Sequence, residues 1–273
     1  SPLVVLAGGD AGGLSGQGNS ATIMNVSGAQ NLTLDTTLLN AGGAGIDNSA
    51  TIQAPSQTIT VNGTLQLLGG GATGNAGARI GGIGTNPAPT ATNLTLMVAG
   101  DVTLIGGSAS GATIGTCISC TAQTTNIDIT SGGSVWLTAG TGATARIGSA
   151  GGAIGGGNIS VTTTGAAGDI ILAGNTTVGP TILTSGNVTL NAGHDISLQD
   201  AAVNNGGTQS ISAANNLSIA AVNLPTTLQT NGAGLQTVSA KGISIQAAAT
   251  GNNVSAAISA SAGQSVTAGA NGI

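Results

Sequence analysis

Asn93-Leu-Thr-Leu-Met-Val-Ala-Gly-Asp-Val-Thr-Leu, residues 93–104, holds two short phrases of alternating apolar and small polar residues, separated by a bend of Ala, Gly and Asp. Alternation at period two is the signature of a strand with one face buried. The phrase recurs as Asn31-Leu-Thr-Leu, Asn126-Ile-Asp-Ile, Asn158-Ile-Ser-Val, Asn187-Val-Thr-Leu, Asp195-Ile-Ser-Leu, Asn216-Leu-Ser-Ile and Gly242-Ile-Ser-Ile. A strand repeated at spacings of tens of residues cannot bury its own face, so it must stack on its neighbours. A solenoid follows.

The period can be read from two independent phrases. Ala78-Arg-Ile-Gly returns as Ala112-Thr-Ile-Gly and Ala145-Arg-Ile-Gly, with steps of 34 and 33. The strand phrases at Asn93, Asn126 and Asn158 step by 33 and 32. Further along the unit shortens. Aligning the phrases that begin at Val188, Ile211 and Val238 gives steps of 23 and 27. Each coil then holds two or three strands of four to six residues, with corners of Gly, Asn, Asp and Ala that tolerate positive φ. The expected fold is all-β: a single-stranded parallel β-helix of roughly ten coils, on the order of 50 Å long at the usual strand spacing. No linker or composition break interrupts residues 1–273. One domain is expected, with longer coils over about 1–185 and shorter coils over about 186–273.

Composition agrees. The 273 residues include 49 Gly, one Trp, and no Phe, Tyr or Glu. Ala, Val, Ile and Leu supply the core material that a disordered chain lacks. A narrow lumen lined by identical stacked side chains has little room for aromatic rings. The charge of −5 rests on eight Asp against Lys241, Arg79 and Arg146. Such a chain lacks the basic footprint that nucleic acid or an anionic membrane requires. No window approaches the roughly 20 apolar residues of a helical span, so no membrane insertion is expected. Ser1–Leu6 is too short for a signal peptide, and the chain reads as a mature or excised piece of a longer precursor.

Val102-Thr-Leu-Ile-Gly-Gly, Asn187-Val-Thr-Leu-Asn-Ala-Gly-His-Asp-Ile-Ser-Leu and Leu217-Ser-Ile-Ala-Ala resemble the repeats of filamentous-haemagglutinin-type exoproteins, the bacterial two-partner-secretion adhesins. The resemblance runs from about Asn31 onward. It implies a right-handed parallel β-helix, export across two membranes, and an extracellular life as a secreted or cell-surface rod or fibre. The Asn-Pro-Asn motifs of that family's secretion domain are missing. Asn271-Gly272-Ile273 resembles part of one, without its Pro.

Few residues invite a chemical role. Cys117 and Cys120 form a Cys-x-x-Cys with no helix nearby to activate a thiol and too few other ligands for a metal. A local disulfide stapling a corner is the expectation, and it suits an oxidising exterior. His194 is expected at a solvated corner. Arg79 and Arg146 occupy matching repeat positions with Thr113 between them. One reading is a ligand-binding pair on one face, but two cations roughly two coils apart make a poor anion site. Each is therefore expected at a corner, its stem over apolar surface and its head reaching water or an Asp. Gly8-Gly-Asp-Ala-Gly-Gly lacks the fixed Asp spacing of calcium-binding nonapeptides. Nine Asn-x-Ser/Thr sequons, Asn25 to Asn253, largely coincide with the corner-and-strand phrase itself, so they carry no independent glycosylation signal. No catalytic, metal or cofactor residue is expected, and no cofactor.

Three function classes remain. A polysaccharide-degrading β-helix needs clustered acids and bases, which this chain does not offer. An ice-binding solenoid needs one Thr-x-Thr per coil, and Thr58-Ile-Thr and Thr162-Thr-Thr do not recur at the coil period. A structural or adhesive rod fits best. Its expected partners are further copies of itself, stacked head to tail, and a host or neighbouring-cell surface.

Overall fold

The computed structural model describes residues 3–10, 12, 18–74, 76–84, 89–116, 123–149, 155–248 and 254–272. Among them are 26 strands and no helix. No helix is therefore long and apolar enough to cross a membrane. Every strand pairing among the described residues is parallel, and each strand pairs with the one that comes three later in the chain wherever the turns are regular. The chain winds through three walls and returns to the first.

The first wall holds Ala29–Leu34, Ser56–Val61, Thr92–Val98, Thr125–Ser131, Ile159–Thr163, Val188–Ala192, Gln209–Ala213, the start of Gln236–Ala247, and Gln264–Gly272. The second begins with Leu3–Ala7 and Thr36–Asn40 and runs through Val102–Ile105 and Val135–Thr138 to Asn216–Ala221 and the end of Gln236–Ala247. The third is a separate sheet of nine strands, from Ala21–Met24 through Gly77–Gly81, Ala112–Gly115 and Ala145–Gly148 to Ala256–Ala260. The long strand Gln236–Ala247 turns from the first wall to the second without a loop; the register shifts there between Ala240 and Gly242.

Alternation places apolar columns on the inner side of each wall, of which one from each shows the pattern. Ile59, Leu96, Ile129, Val161, Leu190, Ile211 and Val238 stack in the first. Leu39, Leu67, Leu104, Leu137, Leu172, Leu198 and Ile219 stack in the second. Ile52, Ile80, Ile114, Ile147, Ile182, Val203 and Leu228 stack in the third. These side chains are buried and meet in one continuous core. Burying each contributes roughly 1.5–3 kcal/mol relative to exposure. Like stacks on like, so no ring or long chain is needed to fill the lumen.

The phrase Ala-Arg-Ile-Gly ends in Gly for a reason the register supplies. Gly115 lies at φ 139° and Gly148 at φ 100°. A Cβ on Gly115 would stand 2.2 Å from the Gly148 carbonyl oxygen, and one on Gly81 2.1 Å from that of Gly115. Three strands therefore end where two backbones touch.

Two sequence readings change. Asn93 sits directly opposite Asn126, and Ile80, Ile114 and Ile147 form one file, as the 33-residue period requires. At the first of the shorter steps, however, Val188 faces Gln209 and Leu190 faces Ile211, a step of 21 rather than 23, while Ile211 faces Val238 at the expected step of 27. A two-residue slip keeps every side chain on its own side of the sheet, so the hydrophobic pattern could not reveal it; a one-residue slip would have. The second change is the count: among the described residues each turn passes through three walls, with Gln236–Ala247 serving two of them as one strand.

Candidate functional site

Corners between walls are held by side chains that reach across turns. At the entry to the first wall, Asn126 Nδ2 donates to Asn93 Oδ1 at 2.9 Å. The backbone N–H groups of Asn158, Asn187 and Thr208 donate in turn to Oδ1 of Asn126, Asn158 and Asn187, at 3.1, 3.1 and 2.7 Å. A second ladder runs along the next corner. There Ser134 N–H donates to Asp101 Oδ1, Asp169 N–H to Ser134 Oγ, Asp195 N–H to Asp169 Oδ1, and Asn216 N–H to Asp195 Oδ1. The Asn and Asp that begin each strand phrase are thus bridges between turns as well as bend formers.

The Asn ladder borders a groove of about 520 Å³ on the outer side of the first wall, lined by Asn93, Asn126, Asp128, Asn158, Ser160 and neighbouring residues. Asp128 is its one carboxylate. Hydrolysis of a glycosidic bond by two carboxyl groups has no second partner at this place.

His194 belongs to the second ladder. Its Nδ1 lies 2.9 Å from Asp169 Oδ1 and 3.4 Å from Asp195 Oδ2, and its side chain is 43 % exposed. Asn215 Nδ2 lies 3.5 Å from His194 Nε2 and 2.9 Å from Asp195 Oδ1. The expected solvated corner is therefore a half-exposed one, engaged across turns. Asp169, His194 and Asp195 offer ligand atoms within 4.8 Å of one another, a spread compatible with a metal. Each of the three is already occupied in holding the corner.

Asp200 closes a third kind of corner. It is 1 % exposed and has φ 49°. Its Oδ1 accepts the N–H groups of Val222, Asn223 and Leu224 at 2.8, 2.8 and 3.0 Å, and Oδ2 accepts Asn223 Nδ2 at 3.1 Å. Burial pushes its pKa up, but these donors favour the carboxylate and hold it below the ordinary 3.8.

The arginines depart most from expectation. Arg79, Thr113 and Arg146 lie side by side on the outer side of the third wall. Neither head reaches water or an Asp. Arg79 is 8 % exposed and Arg146 4 %. Arg79 NH1 donates to the carbonyls of Gly82 and Gly115, and Arg146 NH2 to that of Thr116 at 2.7 Å. Desolvation lowers the Arg79 pKa to about 10, with Arg146 adding to the effect. Desolvation alone brings Arg146 to about 10. Buried Thr51, Thr116 and Ser149 mark the same covered side. Alternation within the Ala-Arg-Ile-Gly phrase carries no signal for this burial.

Cys117 and Cys120 lie outside the described residues. No family model, curated protein or solved structure matches the chain.

Proposed function

We propose that this chain is an extracellular structural or adhesive rod of a bacterial surface, a right-handed parallel β-helix of roughly ten coils that stacks end to end into a fibre. The observation that carries the reading is the set of parallel ladders, with apolar columns on the inner side of each of the three walls along the described chain. Right-handedness is the physical expectation, because about 98 % of crossovers between parallel strands of one sheet have that hand. The nine strands of the third wall are in keeping with the expected coil number. The resemblance to filamentous-haemagglutinin-type repeats supports the secreted, surface-bound setting. The reading assigns the chain no catalytic step and no cofactor.

End-to-end stacking is supported by the state of the two terminal turns. Val4, Ile23 and Leu32 at one end and Ile258 and Ala268 at the other are only partly buried, and Val266 is 38 % exposed. Unpaired strand edges recruit further strands, and head-to-tail contacts that do not close give open fibres. In a longer polypeptide, flanking coils would cover the same surfaces. Light scattering and negative-stain microscopy of this chain at micromolar concentration decide between the two. Filaments support stacking, and a stable dispersed monomer overturns it while leaving the rod.

One observation favours ice binding as a second reading. Outside the first wall run two rows of mostly hydroxyl side chains, Thr58, Thr95, Asp128, Ser160, Thr189, Ser210 and Thr60, Met97, Thr130, Thr162, Asn191, Ser212. The rows are built across turns, so the one-dimensional phrase does not display them. Met97, Asp128 and Asn191 interrupt them. Measurable thermal hysteresis would favour this reading over the rod.

A further inference from the structure

The covered side of the third wall holds two positive charges without a negative one. Arg79 and Arg146 flank Thr113 in register, so their Cα atoms stand about 10 Å apart, two strand spacings. Such side chains readily converge over the residue between them. Among the described residues the ion pairs are those of His194 with Asp169 and Asp195. All eight Asp are described and the chain has no Glu.

The carboxylates are committed elsewhere. Asp101, Asp169 and Asp195 accept backbone N–H groups along one corner, and Asp200 holds its own turn. Asp128 points outward from the first wall. Residues 48–100, 102–127 and 129–168 contain no acid at all, so the chain that follows these third-wall strands brings no counter-charge with it.

Carbonyl oxygens engage only part of the two guanidinium forks. Arg146 Nε is buried with no hydrogen-bond partner. A buried charge is costly unless it is paired and its donors are satisfied. A guanidinium stays protonated at neutral pH and presents a planar fork suited to oxyanions. Thr113 lies in register between the two arginines.

We propose that Arg79, Thr113 and Arg146 form an anion site that takes one doubly charged tetrahedral oxyanion, sulfate or phosphate. Two fixed cations match a dianion better than a chloride or a single carboxylate. The anion would neutralise the covered side of the wall and supply acceptors for the unused donors, tying three consecutive turns together.

The test uses the intact chain, dialysed into chloride and titrated with sulfate or phosphate at constant ionic strength. A saturable rise of the thermal midpoint is expected, roughly 5–10 °C at a hundredfold excess over Kd. It should be lost in R146Q and R79Q and retained in R146K. Sulfate also stabilises proteins by general exclusion, so a non-saturating rise equal in wild type and R146Q overturns the proposal. Should R146Q fail to fold, calorimetric titration of the wild type replaces it, with one saturable site expected. An anion held through dialysis would appear as one equivalent by ion chromatography after denaturation. The absence of both a retained anion and a saturable response refutes the site. The half-saturation points of sulfate and phosphate identify the oxyanion.

Discussion

The first and third walls are built from similar phrases, yet they differ in what covers them. Thr125–Ser131 on the first wall alternates strictly, buried inside and open outside. Ala145–Gly148 on the third is buried on both sides. The inner columns are equivalent, an aliphatic file in each. The difference lies outside, where Asp128 and Ser160 meet a groove while Arg79 and Arg146 are shut in. Period-two alternation reports the inner side faithfully. It says nothing of whether the outer side meets water or more chain.

That comparison can be broken at its strongest point first. Ile129→Ala on the first wall and Ile147→Ala on the third should each cost about 2–5 kcal/mol by denaturant unfolding, because each empties a fully buried place in an equivalent column. A large gap between the two would show that the inner columns are not equivalent. Gly148→Ala comes next, at about 2–4 kcal/mol. The residue sits at positive φ, and a Cβ would stand 2.3 Å from the Leu183 carbonyl oxygen. Gly28 has positive φ with nothing within 4 Å, so the same change there isolates the conformational part and should cost less.

Asp200→Asn, at the corner leading into the third wall, should cost about 1–3 kcal/mol near neutral pH through weakened charge-assisted hydrogen bonds. Its pH dependence follows from the lowered pKa. The carboxylate's contribution is complete above the ordinary value of 3.8 and is lost as pH falls through the lower folded value. Wild type should therefore lose part of its advantage over the Asn variant on acidification below about pH 4. An unchanged difference between the two would refute the assignment.

The alternation of Asn126-Ile-Asp-Ile and its repeats made the strands and the inner columns legible, because a buried face must repeat every second residue; it left two or three strands per turn open. The corner ladders were half legible. Asn and Asp announced bends, but their bonds to the next turn depend on register. The first of the two steps read for the shorter turns differs by two residues from the structure, while the second, Ile211 to Val238, agrees. The arginine site was not legible. A residue at an outward position of a strand looks solvated, because alternation carries no signal for what covers that side.

Two smaller effects sharpen the contrast at the surface. Asn126→Ala removes a bridge between three consecutive turns of the first wall and should cost about 1 kcal/mol. Thr95→Ala on the open outer side should stay within about 0.5 kcal/mol in the same assay. A Thr95 effect as large as that of Asn126 would mean that the outer side of the first wall is also covered.

The parallel three-walled path is tested most directly by distances between outward positions of the first wall. Spin labels placed as cysteines at Thr95 with Ser210, and at Thr95 with Ser265, in a background with Cys117 and Cys120 replaced by serine, give these by pulsed electron resonance. The register separates the pairs by four and six strands, so backbone separations of about 19 and 29 Å are predicted. Distances that scale with the number of turns support the solenoid. Equal distances for the two pairs, or a longer one for the first, would contradict it.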